Sequence, residues 1–120
     1  MNEALDSSAL QALRESTGGD AEFLADLVGT FLEECPGQLD ELRSAVASGN
    51  AGDVRRGAHT LKSNGATFGI VRVTELCREL ERQASEGNLE RAEEQVAAIG
   101  EALAGARPAL LALTAVDRSS

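Results

Sequence analysis

The chain has 120 residues and a mass of 12.5 kDa, one domain's worth, with no room for an ATP-binding catalytic domain beside a second module. Apolar residues make up 42% of it and charged residues 26%, the balance of an ordinary folded protein rather than a disordered one. Acidic side chains outnumber basic ones 20 to 11, and the net charge of −9 would repel a nucleic-acid backbone.

Strand signals are nearly absent: there is no alternating run and no Asn-Gly or Asp-Gly hairpin turn. Helical spacing takes their place. A short helix is predicted over residues 5–15 from Leu5, Ala9, Leu10 and Leu13, with Asp6 or Ser7 as its cap. Thr17-Gly18-Gly19 break it, and Asp20 can cap a helix whose wide apolar face runs Phe23, Leu24, Leu27, Val28, Phe31, Leu32 and Cys35. Pro36 either ends that helix or sits in the first turn of a continuation carrying Leu39, Leu42 and Val46. Asn50 then caps a helix through Val54, Ala58, Leu61 and Gly65 toward Phe68, where Gly69 supplies a left-handed stop.

Val73, Leu76, Cys77, Leu80 and Ala84 define the next amphipathic helix, closed by Glu86-Gly87-Asn88. The last segment is the most regular, with Leu89, Ala92, Val96, Ile99, Leu103, Ala106, Leu110 and Leu113 three or four apart. Gly105 and Pro108 predict a kink or break in it near residue 107. Short connections make successive helices antiparallel. The expected fold is all-α, an up-and-down antiparallel four-helix bundle with a short additional N-terminal helix. Its domain spans residues 7–113, between flexible ends at 1–6 and 114–120.

No apolar run approaches the roughly 20 residues a bilayer requires, and the start has neither the basic nor the apolar region of a secretory signal. A cytoplasmic protein without a membrane partner is expected. Cys35 and Cys77 form no C-x-x-C pair, and one histidine cannot complete a zinc site with them. They read as buried free thiols.

Chemistry concentrates in one place. His59 is the only histidine and Lys62 the only lysine, three apart on one helix and preceded by Arg55 and Arg56. From residue 54 to 70 there is no carboxylate, although the chain as a whole is acidic. At roughly 100° per residue, Val54, Leu61, Gly65 and Phe68 lie about 120–180° from His59, whereas Arg55, Ser63 and Ala66 lie within about 40° and Lys62 and Arg56 within about 60°. The imidazole should therefore face solvent beside small side chains and cations.

An exposed neutral histidine can attack phosphorus and carry a phosphoryl group, and nearby cations would stabilise the dianion so formed. A lone surface histidine more often does nothing, and paired arginines more often form a solvated or intrahelical ion-pairing face. Metal binding is disfavoured because no second histidine or carboxylate lies within a turn. A serine-type triad fails for want of an acidic orienter nearby. Gly65 in mid-helix costs about 1 kcal/mol against alanine, and close approach of a neighbouring helix explains it.

The run Ala58-His59-Thr60-Leu61-Lys62-Ser63-Asn64-Gly65-Ala66-Thr67-Phe68-Gly69 resembles the signature of histidine-containing phosphotransfer (HPt) domains. That signature is a histidine, a leucine two on, a lysine three on, small residues through the next turn and a closing glycine. Helix order and spacing extend the likeness over about residues 7 to 105, including Leu76-Cys77-Arg78-Glu79-Leu80-Glu81. Ser63 stands where the family often has glycine, and Gly65 where it often has serine.

The resemblance implies a two-component phosphorelay intermediate rather than a self-contained enzyme. His59 would accept a phosphoryl group from a receiver-domain aspartyl phosphate and pass it to another receiver aspartate. Lys62 would stabilise the phosphoryl group, and Ser63 would keep access open and could donate a hydrogen bond. Glu81 aligns with a polar position that helps orient the histidine in some members.

The implied partners are response-regulator receiver domains and a hybrid histidine kinase, engaged through Arg55, Arg56, Ala66, Leu10, Leu13 and Glu81. No cofactor of its own is implied, since Mg²⁺ would come with the receiver. The family favours a monomer. Alternatives are the phosphoacceptor domain of a chemotaxis-type kinase and a receiver-binding bundle that is never phosphorylated. The presence of His59 with Lys62 tells against the latter.

Overall fold

The computed structural model describes the backbone of residues 5–119 and the side chains of residues 5–113. Among these, the chain forms α1 (Ser7–Ser16), α2 (Ala21–Ala47), α3 (Ala51–Thr67), α4 (Val71–Ser85) and α5 (Ala92–Ser119). Three starts are written in capping side chains. Asp6, Asp20 and Asn50 accept from the amides of Ser8, Phe23 and Asp53 at 3.0, 3.1 and 3.1 Å, each cap worth about 1 kcal/mol.

α2, α3, α4 and α5 close a ring of neighbours in that order, α5 returning to α2, and α1 lies against α3. The all-α bundle with an additional N-terminal helix is the architecture read from the sequence. Its core takes one stripe from each helix: Leu24, Val28 and Leu42 from α2, Val54 and Leu61 from α3, Val73 and Leu80 from α4, Val96, Ile99 and Leu110 from α5. Phe31 and Phe68 stack with ring centroids 4.5 Å apart and join α2 to the end of α3. Both cysteines are free and buried, and desolvation pushes the Cys35 thiol up to about 11 and Cys77 up to about 12. They are unreactive thiols.

The α3–α4 turn fixes the position of the first helix. Gly69 takes φ +71°, its carbonyl accepts from the Asp6 amide at 2.7 Å, and Leu5 bridges Ile70. A Cβ on Gly69 would lie 2.9 Å from the Asp6 carbonyl oxygen, so both the left-handed backbone and the close approach require glycine.

Several expectations change. Neither proline interrupts its helix: α2 runs through Pro36 and α5 through Pro108. Both prolines lie on exposed faces, where water can take the carbonyl left without a donor, and buried residues on either side hold the helix together. Phe23, expected on the core face of α2, is 49% exposed.

α5 is helical to Ser119, and Leu5 and Asp6 lie against the α3–α4 turn. Of the flexible ends expected from the sequence, residues 1–4 and Ser120 lie outside the described residues. The stretch Ala92–Leu113 is, by length and composition, apolar enough to cross a bilayer, with mean hydropathy 1.5, contrary to the sequence reading. Here it is a bundle helix, packed on α2 and α4 through Ala92, Val96, Ile99, Ala102, Leu103, Ala106 and Leu110.

Candidate functional site

α3 presents two kinds of side chain by its periodicity. Val54, Ala58 and Leu61 are at most 1% exposed, and Gly65 is buried with them. On the other side the His59 side chain is 58% exposed, with Arg55, Ser63 and Ala66 in solvent around it. A helix that must bury the first set has to expose the second.

What the helix alone could not supply comes from α4. Running antiparallel to α3, it brings Glu81, 22 positions later in sequence, against the site. Glu81 Oε2 lies 3.0 Å from His59 Nδ1, and Oε1 lies 2.6 Å from Lys62 Nζ. One carboxylate thus holds the imidazole and the ammonium together. The Lys62 and Glu81 side chains are only 27% and 21% exposed, whereas the ring they support stays open to solvent.

The Lys62 ammonium bonded to it, then the His59 ring, holds the Glu81 carboxyl below the usual carboxylate range, against the opposing effect of burial. Glu81 is therefore ionised at neutral pH and can only accept hydrogen bonds. In the neutral imidazole Nδ1 then carries the ring proton, and the lone pair lies on Nε2, the outer nitrogen.

The expected positive island is accordingly corrected. Its absence of carboxylates holds along residues 54–70 of the sequence, but in space Glu81 sits inside it, and it is the acidic orienter that the search near His59 in sequence did not find. Arg56 is not free either, since it pairs with Asp53 on its own helix. Leu13 is 7% exposed and belongs to the core, so it offers no docking contact; Leu10 is half-buried. The apolar periodicity of α1 marks the face it turns inward.

On its other flank α3 borders α2 across a groove of about 610 Å³ lined by Gln38, Glu41, Leu42, Arg56, Gly57 and Thr60. Asn64 Nδ2 donates to Gln38 Oε1 across the same helix pair at 3.4 Å. Gly57 and Thr60 are the small residues that α3 turns toward this groove, and nothing in their spacing marked it in the sequence.

Comparisons with known proteins address the chain as a whole. The sequence model of the Hpt domain matches residues 26–109, which include His59, Lys62 and Glu81. Among curated proteins none matches. The fold is similar to the crystal structure of histidine-containing phosphotransfer protein B (HptB) from Pseudomonas aeruginosa PAO1, with a TM-score of 0.82 and 28% identity over 92% of this chain and 93% of that one. A bundle with this helix order, this exposed histidine and this match along most of its length belongs to the Hpt domain family.

Proposed function

We propose that this Hpt domain is a cytoplasmic phosphorelay intermediate in which His59 Nε2 carries the phosphoryl group. The observation that carries the reading is the single carboxylate of Glu81, bonded to Nδ1 on one side and to Lys62 on the other. It fixes the ring's tautomer and rotation while the outer nitrogen faces solvent. A nucleophile held by an acceptor that cannot itself donate is ready for in-line attack.

In the forward step the Nε2 lone pair attacks the phosphorus of a receiver domain's aspartyl phosphate. The N–P bond forms, the P–O bond breaks, and the aspartate leaves as a carboxylate. The reverse sequence on a second receiver discharges the site. Lys62 lies on the rim of the same face, where its flexible stem lets the ammonium follow the phosphoryl oxygens. Receiver domains and a hybrid histidine kinase are the partners this reading requires, with Arg55, Ser63 and Ala66 at the contact.

Mg²⁺ would be brought by the receiver; among the described residues no group of three or more His, Cys, Asp or Glu side chains is placed to hold one. The test is to mix the protein with a phosphorylated receiver domain and follow transfer of the label. Acid-labile, base-stable label on the wild type, and none on His59→Gln, is the expected result. Label persisting in the variant would overturn the site, and label acquired only from an ATP-dependent kinase domain would favour the chemotaxis-type alternative.

A further inference from the structure

Gly65 lies six residues beyond His59, where α3 crosses α4, and it is buried. A Cβ built there would sit 2.9 Å from Thr74 Oγ1, 3.1 Å from Val73 Cγ1 and 3.2 Å from the Thr74 backbone nitrogen. Thr74 Oγ1 is not free to swing aside without loss, because it donates to the Ile70 carbonyl at 3.2 Å. The backbone nitrogen cannot move unless α4 moves. We infer that Gly65 is a positioning residue for His59: by carrying no side chain at the crossing, it lets α4 lie close enough for one glutamate to reach both His59 and Lys62. This rests on the reading of His59 as the phosphoacceptor.

The geometry amplifies the effect. Ile70 is tied to Gly65 by a 2.8 Å backbone hydrogen bond, and Gly69 to Asp6, so the turn acts as the hinge of the α3–α4 hairpin. At 1.5 Å per residue, Thr74 lies about 6 Å and Glu81 about 16 Å along α4 from that hinge. A displacement of about 0.4 Å at Thr74, enough to relieve the contact, therefore becomes about 1 Å at Glu81. Contacts now at 2.6 and 3.0 Å would open to or beyond the limit of a hydrogen bond. Ala58, Leu61, Cys77 and Leu80, all buried between the two helices, resist the opening but cannot remove its cause.

The experiment is Gly65→Ala in the full chain, read in two ways. Nitrogen-15 NMR of the unphosphorylated ring reports whether Nδ1 is still bonded, and the initial rate of label uptake from a phosphorylated receiver reports function. Alanine is the better helix former, so helical circular dichroism should be retained. Ring signals should move toward those of Glu81→Ala, and uptake should slow by up to about tenfold, the scale of one lost charge-assisted hydrogen bond. The double variant G65A/E81A should be no slower than E81A alone.

A wild-type ring signature and rate in G65A would overturn the inference, as would effects that multiply in the double variant. Should G65A not fold, Glu81→Asp withdraws the carboxylate by about 1.5 Å and leaves the crossing intact. It is expected to match E81A, and a wild-type rate would show that reach is not limiting and overturn the proposal. If the wild type itself takes up no label, the phosphotransfer reading fails, while the ring signature of G65A still decides the role of the glycine.

Discussion

The two flanks of His59 carry the same chemical pairing built in opposite ways. Toward α2, Arg56 pairs with Asp53 three residues earlier on the same helix, their side chains 65% and 46% exposed. Toward α4, Lys62 pairs with Glu81 from another helix, their side chains 27% and 21% exposed. An intrahelical pair in water contributes a few tenths of a kcal/mol and positions nothing beyond itself. The interhelical pair is partly desolvated, shares its carboxylate with the imidazole, and exists only because two helices pack. Likeness of composition is therefore a poor guide to function here, since what separates the flanks is the distance in sequence between the partners.

That contrast can be broken by experiment. Lys62→Ala should have the larger effect, slowing label transfer by about 10- to 100-fold, the range set by losing one charged contact to a transferring group. Far-ultraviolet circular dichroism should stay unchanged; a loss of helicity would make Lys62 structural and level the two flanks. An intermediate effect concerns acid. The folded pKa of Glu81 is depressed, so the stabilisation from its pairing is complete above the ordinary glutamate value of about 4.3 and is lost as pH falls through the lower folded value.

Carbon-13 titration of the Glu81 carboxyl should give a midpoint below about 4.3. Denaturant unfolding of wild type and Glu81→Gln should differ at neutral pH and converge below that midpoint. A midpoint above the ordinary value would mean that burial outweighs Lys62. The smallest effect belongs to Arg56→Ala, which should change unfolding free energy by less than about 0.5 kcal/mol and transfer rate by less than about threefold. A larger loss of rate with unchanged stability would assign Arg56 to the partner interface and sharpen the comparison instead.

Much of the fold was legible because helices are local. The caps at Asp6, Asp20 and Asn50 and the inward stripe of α3 follow from residues a few positions apart, and so does the exposure of His59. The prolines misled for the same reason. Pro36 and Pro108 carry a local penalty, and burial of Phe31, Cys35 and Leu39, or of Ala106 and Leu110, outweighs it from outside the local window. Leu13 misled in reverse, because an apolar residue on a short helix reads equally as core or as docking surface until its neighbours are known. Glu81 entered the sequence reading only through family likeness. Nothing in the 21 intervening residues marks that glutamate, rather than Glu75 or Glu79 on the same helix, as the one facing His59.

The amino-acid order alone settled the all-helical bundle, the face α3 buries, and a solitary histidine left in water beside a lysine, because those outcomes depend on hydrogen bonds and side-chain periodicity within single turns. Only the packing of α4 on α3 decided which carboxylate meets the ring, which nitrogen is left free, and why position 65 bears no side chain. Those are interhelical distances of a few ångströms, and they are set by how closely two backbones can approach.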